Sequence, residues 1–194
     1  MKKLLGGLLV LLGVLMLLLD GALVAHNLRE NSQAGNESGR LLQEVARDIA
    51  QTGAAPMTLP ATTEMTVREV DGQPCIGYVS LPTVERELPV IAQWSYPALR
   101  KAPCRYVGST FTDNLVIAAH NYNRHFGPIT QLSPGDPVYF TDMDGLVTEY
   151  AVTDTETLMG TDVEAMTDST ADLTLFTCTY GGRSRITVRC ERVL

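Results

Sequence analysis

The sequence predicts an all-β domain, either a sandwich or a barrel, that follows an apolar N-terminal segment. From Met65 onward, short stretches of strand-forming residues alternate with turn residues, a pattern typical of such folds. Before it, Leu4–Ala25 is apolar except at Asp20. The stretch from Thr66 to Leu194 is long enough for one closed β-domain.

Eight segments have the composition of β-strands. They are Thr66–Val70, Ile76–Leu81, Pro89–Ile91, Asn114–Ala119, Pro137–Asp142, Leu146–Asp154, Leu173–Cys178 and Arg185–Val193. Met143-Asp144-Gly145 predicts a hairpin turn between two of them, because glycine tolerates a positive φ angle. Thr161 and Glu164 have the spacing of a capping box, which predicts a short helix at Asp162–Thr167.

The N-terminal segment predicts a membrane anchor. Leu4–Ala25 follows two lysines and could span a hydrocarbon core, which needs about 20 residues. The alternative is a cleaved signal peptide, whose apolar region usually has about 7–15 residues. We favour an uncleaved anchor, since the uninterrupted run Leu4–Leu19 is longer and Leu23-Val24-Ala25 lacks small residues at both usual cleavage positions. The lysines predict a cytoplasmic N-terminus and an extracellular domain.

Three regions follow from this pattern. Residues 1–25 form the anchor, and residues 26–65 form an extracellular spacer. The spacer contains a short amphipathic helix at Arg40–Gln51 and a linker at Thr52–Thr63. Residues 66–194 form the β-domain.

Composition excludes several functions. A net charge of −7 argues against a nucleic-acid partner, which calls for a basic surface. The sequence has no Gly-rich phosphate loop and neither the CxxC nor the HExxH spacing. We therefore predict no cofactor and no metal site.

The candidate nucleophile is Cys178, at the end of the strand Leu173–Cys178. Tyr180-Gly181-Gly182 predicts a reversal, so that the next strand brings Arg185 back toward the thiol. A nearby guanidinium favours the thiolate form of a cysteine. The alternative is a buried structural cysteine beside a surface arginine.

A histidine completes the set. His120 follows a buried strand at the point where the chain enters a loop, a common place for a catalytic residue, although it could also merely cap the strand. A thiolate that attacks a carbonyl, a histidine that shuttles protons and an arginine that stabilises the oxyanion together predict thiol-based acyl transfer.

At these residues the sequence resembles the sortase family, the membrane-anchored cysteine transpeptidases of Gram-positive cell surfaces. Thr174-Leu175-Phe176-Thr177-Cys178 resembles the T-L-x-T-C signature of the family, and Arg185-Ile186-Thr187-Val188 resembles its arginine segment. Ala118-Ala119-His120-Asn121 is similar to its histidine segment, with Ala119 in place of the usual glycine. The stretch from Ile76 to Val90 resembles the first two strands, so the resemblance covers about residues 74–194.

The resemblance implies a closed eight-stranded β-barrel with the active groove at strand ends. It implies His120 as general acid and base, Cys178 as nucleophile and Arg185 as oxyanion-stabilising residue, with Asn121 and Thr177 in contact with substrate. The implied substrates are surface proteins with a C-terminal sorting signal of the LPxTG type. The implied acceptor is an amine from a peptidoglycan precursor or a pilin lysine. Calcium stimulation, known in some members, is not indicated here.

Several alternatives remain open at this point. Arg183 could take the role of Arg185, and the class within the family is undetermined. The same three residues could serve a peptidase that hydrolyses its substrate, and the domain could also be a catalytically silent binding module. If Cys178 stays reduced, we expect a disulfide between Cys104 and Cys190.

Overall fold

The computed structural model describes residues 2–52, 64–167 and 170–193. The chain divides into two compact units, Met1–Gln33 and Ala34–Leu194. The linker predicted after Thr52 lies outside the described residues, and the three-region division remains a prediction.

The first helix, α1, spans Lys2–Thr52. Its part from Gly6 to Thr52 is long and apolar enough, by length and composition, to cross a membrane. The helix is consistent with a transmembrane anchor. The amphipathic helix predicted at Arg40–Gln51 is the last part of α1, because the polar residues before it are also helical.

The second unit is mostly β-structure with short helices. The strands are β1 (Arg68–Val70), β2 (Gln73–Leu81), β3 (Arg86–Ile91), β4 (Cys104–Val107), β5 (Leu115–Ala119), β6 (Pro137–Asp142), β7 (Val147–Met159), β8 (Leu173–Cys178) and β9 (Ser184–Arg192). The helices are α2 (Tyr96–Leu99), α3 (Val163–Thr167) and two short 3-10 helices, Pro82–Val84 and Gly127–Gln131.

Eight strands form a closed barrel. They are hydrogen-bonded in the order β2-β3-β4-β5-β8-β9-β7-β6, and β6 pairs with β2 to close the sheet. Closure depends on Gly77, where a Cβ atom would lie 2.0 Å from the carbonyl oxygen of Thr141 on β6. Any side chain there would separate the two strands, so glycine is required.

The predicted closed eight-stranded barrel is confirmed, with two differences in its strands. β1, one of the predicted strands, pairs only with the first residues of β2 and adds to the barrel without being part of its wall. β4 was not predicted, because its four residues between Pro103 and Gly108 are too short to show an alternating pattern.

The barrel wall separates two apolar layers. The inner layer includes Ile117 on β5, Leu175 on β8 and Val188 on β9. The outer layer includes Ala118 on β5 and Phe176 on β8. Successive strand residues point to opposite faces, so each strand contributes to both layers.

Helices cover the outer layer. Leu41 and Val45 from the end of α1, Leu99 from α2 and Met166 from α3 are buried in it. Arg68 on β1 links α1 to the β6–β7 turn through ion pairs with Asp48 at 3.1 Å and Asp144 at 2.9 Å. The end of α1, together with α2 and α3, therefore packs on the outer face of the barrel.

The expected disulfide between Cys104 and Cys190 is wrong, because all four cysteines are free. Cys104 lies in the outer layer and Cys190 in the inner layer. The barrel wall between them prevents the close approach that a disulfide needs.

Candidate active site

The candidate site forms where β5, β8 and β9 lie side by side. β5 and β8 are parallel, and Ala119 is the register partner of Thr177. The next residues along the chain, His120 and Cys178, therefore lie next to each other at the ends of these two strands. β9 is antiparallel to β8, and Arg185 lies directly opposite Cys178. Residues directly opposite on an antiparallel pair have Cβ atoms about 5 Å apart on the same face.

Alternation assigns the three side chains to the outer face of the barrel. Phe176 on β8 belongs to the outer layer, so Cys178, two residues later, has the same orientation. On β5, Ala118 belongs to the outer layer, which predicts the same face for His120 if the extended path continues. The thiol and the guanidinium thus lie at one end of the outer face, and His120 follows the end of the neighbouring strand.

Cys178 differs from the other cysteines in exposure. It is half-buried, whereas Cys75, Cys104 and Cys190 are buried. Burial raises the pKa of each of these three thiols to about 12, so they stay protonated at neutral pH. Only the thiolate is a nucleophile, which leaves Cys178 as the candidate.

The guanidinium of Arg185 is held at the β8–β9 turn. Its Nη1 donates to the carbonyl oxygens of Gly182 at 2.9 Å and Ser184 at 3.0 Å. It also lies against Gly160, where a Cβ atom would be 3.1 Å from Nη1. Within the described residues its Nε and Nη2 make no hydrogen bond, so they are available to a ligand.

The alternative arginine, Arg183, has a different position. It is exposed in the turn, outside β9, and its carbonyl oxygen accepts a hydrogen bond from Gly160 at 2.9 Å. Arg183 has no register partner on β8, whereas Arg185 faces Cys178. The register therefore favours Arg185.

The two predicted substrate contacts occupy different environments. Asn121 is exposed in the loop after β5. Thr177 is buried, and its hydroxyl donates to the carbonyl oxygen of Ala119 at 2.8 Å. This bond ties the ends of β5 and β8 together. It does not favour a side-chain contact with substrate, which for both residues stays a prediction.

Arg189 is a neighbouring residue that sequence reasoning missed. Its guanidinium is buried on the outer face and donates to Glu156 at 2.9 Å, Thr174 at 3.0 Å and the carbonyl oxygen of Met166 at 3.2 Å. It also donates to the carbonyl oxygen of Ala165. These bonds fix α3 against the sheet beside the site. The one available signal in the sequence was its spacing of four residues from Arg185, which places both side chains on the same face of β9.

A cleft lies farther along the same face. Phe176 packs edge to face on Tyr106 with 5.4 Å between ring centroids, and Tyr106 packs on Trp94 at 5.9 Å. Trp94 and Tyr106 line a cleft of about 720 Å³. Aromatic rings thus connect the neighbourhood of Cys178 with an open cleft.

Fold and site together define a closed β-barrel with a half-exposed cysteine opposite an arginine and beside a histidine. The chain belongs to the sortase family, since the family model described as Sortase domain matches residues 79–193. This match confirms the resemblance found in the sequence.

Individual relatives agree with this assignment. Sortase A of Listeria monocytogenes is 31% identical over 120 residues, 56% of this chain and 51% of that protein, so the match spans about half of that relative. Sortase A of Bacillus anthracis is 24% identical over 180 residues, 87% of this chain and 85% of that protein. The crystal structure of sortase C from Streptococcus pneumoniae is 26% identical with a TM-score of 0.58, and covers 80% of this chain and 89% of that one.

Differences in burial predict the reactivity of the thiols. Brief treatment of the native protein with iodoacetamide should alkylate Cys178 and leave the three buried cysteines unmodified, because they are protonated and inaccessible. Peptide mass mapping measures the labelled positions. Unfolding in urea should expose all four, and rapid labelling of a second cysteine in the native state would contradict the assigned burial.

Burial of His125 predicts a loss of stability at acidic pH. Burial lowers its pKa from 6.5 to about 4, so between these values the unfolded chain binds a proton that the folded chain does not. Stability from this group is therefore present above pH 6.5 and is lost as the pH falls toward 4, by about 2 kcal/mol between pH 7.5 and 5. Urea unfolding should show a smaller decrease for His125→Gln. Equal decreases in both proteins would contradict the prediction.

Proposed function

We propose that this protein is a cysteine transpeptidase that cleaves an LPxTG-like sorting signal through a thioester on Cys178 and transfers the acyl group to an amine. The proposal rests most on one observation: Cys178 and Arg185 are register partners, and His120 follows the strand that pairs with β8. Among the described residues, the other three cysteines are buried, whereas Cys178 is half-buried and faces Arg185.

In the first proposed half-reaction, the thiolate of Cys178 attacks the carbonyl carbon of the threonine in the sorting signal. Arg185 stabilises the resulting oxyanion through the donors that its turn contacts leave available. His120 donates a proton to the leaving glycine amine as the C–N bond breaks. The product is a thioester between threonine and Cys178, together with the released C-terminal fragment.

In the second half-reaction, an amine attacks the thioester. His120 takes the proton that the amine loses, the C–S bond breaks and the thiolate is restored. The acceptor is an amine of a peptidoglycan precursor or a pilin lysine. The structure of the similar sortase C of S. pneumoniae is described as giving insight into pilin substrate specificity. This likeness supports a pilin lysine as one of the two possible acceptors. A groove that excludes water would favour the amine over hydrolysis.

The N-terminal helix supports a location at the membrane. In the proposed arrangement, α1 anchors the protein in the cell membrane with its N-terminus in the cytoplasm and the barrel outside. Substrates are then surface proteins held at the same membrane by their own C-terminal signals.

Acyl-enzyme formation is the direct test of this function. We expect the Ala34–Leu194 unit, incubated with a library of LPxTG-type peptides, to gain the mass of the N-terminal peptide fragment, and Cys178→Ala to gain none. Intact mass spectrometry measures the adduct. Absence of an adduct with every peptide would support a binding module. Release of free acid at the same rate with and without triglycine would support a hydrolytic peptidase.

One control concerns the chain's own sequence. Leu59-Pro60-Ala61-Thr62 matches the L-P-x-T part of the proposed signal and precedes Glu64, which lines the aromatic cleft. The variant Thr62→Ala removes this stretch as a competing acyl donor. Adducts that persist in this variant then come from the added peptide.

Substitution of the two arginines tests the assignment of Arg185. Removing one oxyanion donor typically lowers kcat about 10²–10³-fold, so we expect Arg185→Ala to lose activity on this scale. Arg183→Ala is the matched control, since it removes an exposed arginine from the same turn. It should change kcat less than about threefold. The opposite ranking in steady-state transpeptidation would assign the role to Arg183.

A further inference from the structure

The loop that follows β5 is held by three backbone hydrogen bonds. The backbone N–H of Phe126 donates to the carbonyl oxygen of His120 at 3.2 Å, and those of His125 and Gly127 donate to that of Tyr122, each at 2.9 Å. Gly127 fits closely, because a Cβ atom there would lie 2.8 Å from the carbonyl oxygens of Asn121 and Tyr122. The loop therefore returns on itself and fixes the position of Tyr122 relative to His120.

Three rings form a row in this loop. The His120 and Tyr122 ring centroids are 4.9 Å apart with 36° between the planes, and the Tyr122 and His125 centroids are 5.5 Å apart. These separations lie within the range of favourable aromatic contacts. Tyr122 is thus between the candidate catalytic imidazole and a second imidazole.

The far end of the row is anchored in the protein interior. His125 is fully buried, and its Nε2 lies 3.3 Å from the carbonyl oxygen of Ala34 on α1. A carbonyl oxygen only accepts, so Nε2 carries the proton and the ring is neutral at pH 7, in agreement with a pKa lowered to about 4 by burial. A buried, hydrogen-bonded ring is a fixed support for Tyr122.

At the other end of the row, His120 is only half-buried. A half-exposed side chain samples several rotamers unless its neighbours restrict it. In general acid and base catalysis the imidazole must meet the reacting atoms at hydrogen-bond distance, and a misplacement of about 1 Å can cost about 100-fold in rate.

We propose that Tyr122 is the positioning residue of His120: its ring, supported by His125, holds the imidazole in the orientation that proton transfer requires. The inference rests on the proposed function, in which His120 is the proton shuttle. The two rings lie at contact distance with tilted planes, so we assign the effect to the aromatic ring of Tyr122, which a phenylalanine retains.

The test compares Tyr122→Leu with Tyr122→Phe in the full chain, solubilised in detergent, and uses Asn123→Ala as a control in the same loop. We expect Tyr122→Leu to lower kcat about 10- to 100-fold with KM changed less than threefold, and to shift the pH profile of kcat. Tyr122→Phe and Asn123→Ala should stay within about threefold of the wild type in kcat. If Tyr122 had a purely structural role, Tyr122→Leu would not shift the pH profile of kcat while Tyr122→Phe keeps the wild-type kcat.

A second measurement does not depend on activity. In NMR spectra of ¹⁵N,¹³C-histidine-labelled protein, the ring protons of His120 should be shifted by the Tyr122 ring in the wild type and in Tyr122→Phe. The shift should disappear in Tyr122→Leu, while a circular dichroism spectrum and a urea unfolding midpoint close to those of the wild type show that the protein remains folded. Unchanged His120 signals in Tyr122→Leu, or equal kcat in all variants, would overturn the proposal. A wild type without acyl-enzyme would instead refute the proposed function, and the NMR result would still decide whether Tyr122 orients His120.

Discussion

The site depends on the parallel pairing of β5 with β8. Parallel strands end on the same edge of a sheet, so the residue after each strand is delivered to the same place. The register of Ala119 with Thr177, reinforced by the buried hydrogen bond between them, sets His120 beside Cys178. A shift of one residue would send one of the two side chains to the other face of the wall. The antiparallel return of β9 then adds Arg185 opposite the thiol.

The two-layered barrel wall explains why these groups remain accessible. The inner layer packs the barrel and stabilises it by burying apolar surface, whereas the outer layer is covered by α1, α2 and α3. Cys178 follows Phe176 on the outer face and is only half-buried. Arg189 holds α3 against β8 nearby through its hydrogen bonds to Met166 and Thr174. Closure of the sheet through Gly77 holds the wall in this shape. The candidate site residues Cys178 and Arg185 thus lie on the face of the wall opposite to the inner apolar layer.

Much of this arrangement could be predicted from the sequence, because period-two patterns and turn residues are local signals. β6 and β8 have the predicted bounds, and the strand ends carrying Cys178 and Arg185 follow from the same pattern. What depends on non-local pairing could not be predicted. β4 is too short to show a period, and the layer to which Cys104 or Cys190 belongs is decided only by barrel closure. The contacts of Tyr122 and His125 depend on a loop conformation that has no sequence period.

A crystal structure of the Ala34–Leu194 unit, with an LPxT peptide ketone covalently attached to Cys178, tests the central claim most directly. The account predicts that the oxygen derived from the peptide carbonyl lies within about 3.2 Å of a guanidinium nitrogen of Arg185, and that the His120 imidazole lies on the same side of the sheet. A complex in which either side chain points into the barrel, or in which the oxygen is bound by other groups alone, would contradict it.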